Sequence, residues 1–287
     1  MSTPSIEEII LTDDRRGVSS LKSFMPNNYC SRAAELILDS PGKALIATGF
    51  YILAAEAAET DGPPGAVVIG KALESIGFKV SYVTDLHCEK ILGALADPRA
   101  DVVNFPIESY SKSKKHAKEL LDHIKPTVAI SVERCGFDGN GLYLNMHGMD
   151  ISGYTAKLDY LFIGQANTVG IGDGGNEIGM GNLAPHVLNV PSLVDSPCTT
   201  TTSELIISSV SNWGAYGLVT AISKLTNLDL LISVEEEQSL VKKASEMGAV
   251  DSISLKTEPR VDGFDLDSNS GTLNTLHKFL ESSTSVT

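Results

Sequence analysis

Lys43-Ala-Leu-Ile-Ala-Thr-Gly49, Gly62-Pro-Pro-Gly-Ala66 and Phe78-Lys-Val-Ser-Tyr-Val-Thr84 decide how this chain is read. The first and last are short apolar or β-branched runs, the pattern of strands buried in a sheet. The middle stretch opens a helix over 66–76, because proline suits the first turn, where its missing N–H has no partner to lose. Strand, helix, strand is a crossover unit, and such units are right-handed with parallel strands.

The same alternation runs outward. Residues 101–105, 126–132, 160–163, 168–171 and 228–233 read as further strands, and residues 30–38, 86–96, 111–124, 204–226 and 235–247 as helices. The expected fold is α/β and Rossmann-like: a mostly parallel sheet flanked by helices, in three layers. One domain is expected over 1–287, with a core at about 28–265, an N-terminal helical extension and a Ser/Thr-rich tail from 268 that is partly mobile.

Composition narrows the function. Among 287 residues, 36 acids face 22 Lys and Arg, for a net charge of −14. So acidic a chain is poorly suited to replace the counterions of a nucleic-acid backbone. No apolar run reaches the ~20 residues of a membrane span. The N-terminus has neither the basic-then-apolar pattern of a secretory signal nor an Arg-rich transit peptide, so a cytoplasmic location is expected. Four scattered cysteines with no C-x-x-C pair fit a reducing compartment. The expected partner is a small-molecule substrate, with neither nucleic acid nor membrane; a homo-oligomer stays open.

Ligands of such sheets bind beyond the carboxyl ends of the strands. After 43–49 come Glu56, Glu59 and Asp61, then Gly62 and Gly65, which let a ligand approach backbone at a helix N-terminus. After 126–132 come Glu133 and Arg134. Side by side at a strand end, each could face a ligand, set against the plainer reading of a surface ion pair. Cys135 has no base placed by sequence to activate it and reads as a buried bystander. Asn145-Met-His-Gly-Met-Asp150 offers His147 as an acid or base. Trp213, just before Gly214 and Gly217 in a long helix, is either a pocket wall or core.

Gly170-Ile-Gly-Asp-Gly-Gly-Asn-Glu177 is the densest feature. Gly170, Gly172 and Gly175 match G-x-G-x-x-G, yet Gly179, Gly181 and Pro185 interrupt the helix that a dinucleotide fingerprint requires. Gly174, Gly175 and Asn176 are instead candidate ligand-binding positions. Asp173 and Glu177, four apart, would share one face of a helical turn. From Leu158 to Ser223 there is no Lys or Arg. Acids gathered without a side-chain cation point to an external one, and hard divalent cations such as Mg²⁺ or Mn²⁺ take carboxylate oxygens. Asp173, Glu177 and Glu133 are the expected ligands. Asp262, in Val261-Asp-Gly263, is a further acid for which a turn is the simpler explanation.

Thr60-Asp-Gly-Pro-Pro-Gly-Ala66, Glu133-Arg-Cys-Gly136, Asn145-Met-His-Gly148, Gly172-Asp-Gly-Gly-Asn-Glu-Ile-Gly-Met-Gly181 and Ser211-Asn-Trp-Gly-Ala-Tyr-Gly217, in that order, resemble the C-terminal domain of D-glutamate cyclase-like proteins. Gly-Asp-Gly-Gly-Asn-Glu is the most specific of these stretches. The resemblance implies an α/β fold with an acidic, metal-binding cavity. It also implies a lyase reaction in which D-glutamate closes to 5-oxo-D-proline with loss of water. On that reading the cation polarises the γ-carboxyl, Arg134 holds the α-carboxylate, and the base is Glu56, Glu59, Asp61 or His147. Two other readings stay open. One is a Mg²⁺- or Mn²⁺-dependent phosphatase with phosphate at the Gly62–Gly65 helix N-terminus. The other is a non-catalytic nucleotide or metabolite binder, with Asp85 at the ribose-binding offset from Gly65.

Overall fold

A computed structural model describes residues 4–284. Its central sheet has six strands: β1 (Lys43–Thr48), β2 (Lys79–Thr84), β3 (Asp101–Asn104), β4 (Val128–Val132), β5 (Thr168–Gly172) and β6 (Glu204–Ile207). Their order is β3-β2-β1-β4-β5-β6, every neighbouring pair parallel. This is the doubly wound order, and the winding reverses between β1 and β4. The helices are α1 (Ile6–Ile10), α2 (Tyr29–Leu38), α3 (Pro63–Ser75), α4 (Glu89–Leu95), α5 (Tyr110–Ile124), α6 (Ala184–Val187), α7 (Ser211–Thr226), α8 (Val234–Glu246) and α9 (Leu266–Thr284). Among the described residues no helix is long and apolar enough to cross a membrane.

Successive side chains of a strand point to opposite faces, and β1 shows it. Ala44 and Ile46 join the larger core with α2, α3, α4 and α7, whereas Leu45 and Ala47 join the smaller one with α5 and Leu158, Leu161 and Phe162. These are the expected three layers. Ile6, Ile9 and Ile10 of α1 belong to the larger core, so packing begins well before residue 28. From Ser268 the chain lies in α9, with Leu273 and Leu276 buried, so packing also passes the expected limit at 265.

Three elements differ from expectation. Residues 160–163 are not a strand; Leu158–Leu161 is a 3₁₀ turn whose Leu158 and Leu161, three apart, both face the smaller core. Residues 228–233 pair with no strand and connect α7 to α8, with Leu231 and Ile232 buried against the helices. Glu204–Ile207, read as the start of a helix, is the edge strand β6, and the helix begins only at Ser211. Short apolar runs serve all three roles, and periodicity alone cannot separate them.

Candidate active site

Reversed winding opens a crevice at the carboxyl ends of β1 and β4, and two helix N-termini meet there. Asp61, on the loop after β1, accepts from the backbone N–H of Ser211 and Asn212, each at 2.8 Å, and so caps α7. Asn212 answers: its Oδ1 accepts from the N–H of Gly62 at 3.1 Å and of Gly65 at 2.8 Å, capping α3. Each cap satisfies donors that a helix start leaves open, a contribution of about 1 kcal/mol apiece. Gly62 holds φ +98°, and a Cβ there would lie 2.8 Å from the Cβ of Glu133, so only glycine fits.

Glu133 follows β4 with φ +43°, a left-handed conformation that costs a non-glycine residue about 1–3 kcal/mol and recurs at functional sites. Its Oε2 accepts from Ser211 Oγ at 2.6 Å. Asp173 follows β5. Asp61, Glu133 and Asp173, all buried, each offer an oxygen within 4.8 Å of the other two. Asp262, also with positive φ at +51°, and buried Glu59 add to the same field.

One cation stands among these five acids. Arg16 Nη1 donates to Asp173 Oδ1 at 2.5 Å, and its Nη2 lies 2.9 Å from Asp262 Oδ1. The other oxygens, Asp173 Oδ2 and Asp262 Oδ2, are buried without a hydrogen bond. Burial pushes the Asp61 carboxyl up to about 7, and Asp262 adds to the rise. Burial raises Glu133 as well, helped by Glu177, Glu59 and Asp61, and raises Glu59, helped by Asp262 and Asp61. Asp173 is also raised by burial, although Arg16 pulls it down, because Glu133, Asp262 and Asp61 repel its charge. Such a cluster retains protons near neutral pH unless more positive charge enters.

A cavity of about 290 Å³ opens onto this cluster. Glu59, Glu133 and Asn176 give it a polar floor, and Arg16 lines its wall beside the apolar Phe50, Leu53, Met146, Met149, Ile253 and Leu255. His147 lies on the wall in an exposed loop whose turn is held by Asn145 Oδ1, an acceptor for the N–H of His147 and Met149.

Several expected site residues turn out to be scaffold. Arg134 is 1% exposed: Nη1 donates to the Gly49 carbonyl at 2.6 Å, and Nη2 donates to Asp85 Oδ2 at 2.6 Å and to the Ala156 carbonyl at 2.8 Å. It holds loops together rather than gripping a ligand, and it occupies Asp85 too. Glu177 accepts three backbone N–H groups, from Asp173 and Gly174 on Oε1 and from Gly175 on Oε2, so it shapes the glycine loop instead of joining the acid trio. Gly174 and Gly175 therefore point their amides at Glu177, and the amides of Gly62 and Gly65 are filled by Asn212. Asn176 does reach the cavity, with its Nδ2 tied to the Leu144 carbonyl. Glu56 is exposed and away from the cavity lining. Cys135 is a buried free thiol pushed up by burial. Trp213 is core, donating to Asn269 Oδ1 at 2.7 Å. Only the 3₁₀ turn Gly181–Leu183 and the four-residue α6 follow the glycine loop, not the longer helix that a dinucleotide fingerprint requires.

Arg16 is the residue the sequence reading missed. The segment from Leu158 to Ser223 has no cation of its own, but the N-terminal turn delivers one in space. Asp14 fixes that turn by accepting the N–H of Arg16, Gly17, Val18 and Ser19. The only signal in the sequence is the charged run Asp13-Asp14-Arg15-Arg16-Gly17, which has no hydrophobic period to tie it to the sheet.

A doubly wound sheet with a buried acid cluster and a small cavity at its switch point is the arrangement expected of a candidate small-molecule site in the α/β class. The particular class follows from the chain as a whole: it belongs to the D-glutamate cyclase-like, C-terminal family, whose model matches residues 6–277. It is similar to the human protein named "D-glutamate cyclase, mitochondrial", with 29% identity over 214 residues. That stretch covers 66% of this chain and 34% of the human protein, so the match spans about a third of that relative's length.

Proposed function

We propose that this chain closes D-glutamate to 5-oxo-D-proline with loss of water, and that Asp61, Glu133 and Asp173 hold a divalent cation, Mg²⁺ or Mn²⁺, for that reaction. The observation that carries the reading is the buried acid trio, whose Glu133 lines a cavity of about 290 Å³, in a member of this family. The residues suit a hard cation: all donors are carboxylate oxygens, acids outnumber the single guanidinium, and Asp173 Oδ2 is buried with no partner. When bound, such a cation would polarise a carboxyl oxygen as a Lewis acid.

Ring closure forms one C–N bond and breaks one C–O bond. The substrate ammonium gives up two protons, and the departing oxygen leaves with both as water. Glu59 lines the cavity floor outside the trio with raised proton affinity, so it can accept protons from the substrate nitrogen and pass them to the departing oxygen, while Glu133 holds the cation. Arg16 is the guanidinium on the cavity wall and the natural partner for a substrate carboxylate. The apolar walls keep water from the folded substrate.

Two observations count against the other readings. The α3 N-terminus, the seat a phosphate would need, is capped by Asn212. Asp85, the acid a ribose would need, is bound to Arg134. The test is metal analysis of the purified protein, followed by NMR of D-glutamate and 5-oxo-D-proline incubated with it. Interconversion that is abolished by chelation and restored by Mn²⁺ is expected. No interconversion by metal-loaded protein would sink the proposal.

A further inference from the structure

We propose that Arg16 is a built-in competitor for the cation site, so that a divalent cation at the trio is opposed by the guanidinium already on Asp173 and binds more tightly when Arg16 lets go. The inference rests on the cation reading above and adds to it a residue that sets the site's affinity.

The geometry forces the conflict. Asp173 belongs to the trio whose oxygens lie within 4.8 Å of one another, and the same carboxylate is gripped by Arg16 at 2.5 Å. A doubly charged ion at the trio and a guanidinium on one of its ligands repel each other, and burial leaves little water to screen them. Asp173 Oδ2, fully buried and without a hydrogen bond, is the oxygen of that carboxylate left over by Arg16.

The chain around Arg16 is built to hold its backbone still while its head exchanges partners. The Asp14 carboxylate accepts four successive backbone N–H groups from residues 16–19. Ser192 Oγ donates to the Arg16 carbonyl at 2.6 Å. Arg15 lies 3.5 Å over the Phe264 ring and donates to the Asp262 carbonyl at 3.2 Å. With the main chain pinned, exchange falls to the side chain. Asp262 lies outside the trio and remains as an anchor on the Nη2 side. Nη1, once released, still belongs to a residue on the cavity wall, where a substrate carboxylate would meet it. Cation and dicarboxylate would then bind with positive coupling, because each relieves a charge the other leaves behind.

The experiment is Mn²⁺ titration, by calorimetry and by electron paramagnetic resonance of free Mn²⁺, of the wild-type chain, Arg16→Gln and Arg16→Lys. Arg16→Gln is expected to bind Mn²⁺ about ten-fold more tightly than wild type, the size of one lost unit-charge repulsion at intermediate screening. Arg16→Lys, a point charge that cannot bridge two carboxylates, is expected between them. In EDTA, Arg16→Gln is expected to melt below wild type, and Mn²⁺ is expected to raise its melting temperature by more. If removing the guanidinium destroys the cation-free fold, the comparison of Arg16→Lys with wild type carries the test alone. Equal or weaker Mn²⁺ binding by the variants, with wild type binding, overturns the competition and leaves the cation reading standing. No Mn²⁺ bound by any of the three overturns both.

Discussion

Two arginines sit among acids in this molecule, and they do opposite work. Arg134 meets one carboxylate, Asp85, with the pair 1% and 3% exposed and further Nη bonds to the Gly49 and Ala156 carbonyls. Charge is balanced there, although Arg134 Nε is buried without a hydrogen bond. Arg16 meets two carboxylates directly, three more stand close by, and a cavity opens on the group. Charge there is unbalanced, two carboxylate oxygens lack partners, and four of the acids hold their protons more tightly than usual. A buried pair whose charges balance is scaffold; a buried cluster whose charges do not is where chemistry or a ligand must supply the balance.

The strongest way to break this contrast is to cut the balanced pair. Arg134→Met leaves Asp85 buried and uncompensated, a loss of about 3–5 kcal/mol. Urea denaturation is expected to show that fall, or a chain that no longer folds. If Arg134→Met cost no more than Arg16→Gln in the same assay, the division into scaffold and site would fail.

Next comes the unbalanced side. Glu133→Gln keeps the shape and an oxygen for Ser211 Oγ, and it removes one repelling charge. Turnover of D-glutamate is expected to fall about 100-fold or more, on the scale of a weakened cation site. The cation-free melting temperature is expected to hold or rise, since burial and Glu177, Glu59 and Asp61 oppose that charge. A large fall in stability with turnover retained would reverse the two roles.

The same contrast explains what the sequence made legible. Strands β1, β2, β3, β4 and β5 were readable because buried parallel strands leave apolar runs bounded by Gly, Asp or Pro. Asp61, Glu133 and Asp173 were readable as candidates because they follow such runs, and in this fold strand ends build the site. What failed was anything decided by a distant partner. Arg134 and Glu133 are adjacent in sequence at one strand end, yet one turns into the scaffold and the other into the cavity. Glu177 has the spacing of a ligand, but three backbone amides of its own loop reach it first. Arg16 bonds to a residue 157 positions away, and no local pattern carries that information.

A third effect is in pH. Burial pushes the Asp61 carboxyl up to about 7 in the folded chain, against about 3.9 when unfolded. Between those values the native state holds more protons than the unfolded one, so stability of the cation-free protein falls as pH rises through that window. Glu59, Glu133 and Asp173, all raised, act in the same sense. In EDTA the melting temperature is expected to be several degrees lower at about pH 7.5 than at about pH 5. Mn²⁺ is expected to shrink or reverse that slope, because a cation favours the deprotonated carboxylates. A melting temperature that climbs steadily with pH in EDTA would mean the acids are already balanced as Arg134 and Asp85 are.

The smallest effect sharpens the division between the floor of the cavity and its rim. His147 lines the cavity from an exposed loop beside Met146 and Met149, while Glu59 and Glu133 are buried 4% exposed at the floor. A side chain that moves a proton in the reaction contributes about 10²–10⁴ to the rate. His147→Gln keeps a polar group of similar reach and is expected to change turnover by less than about three-fold, because on this geometry the protons belong to the floor. A loss of two orders of magnitude, with Mn²⁺ binding unchanged, would move the base to the rim. The buried acids would then be left the cation alone.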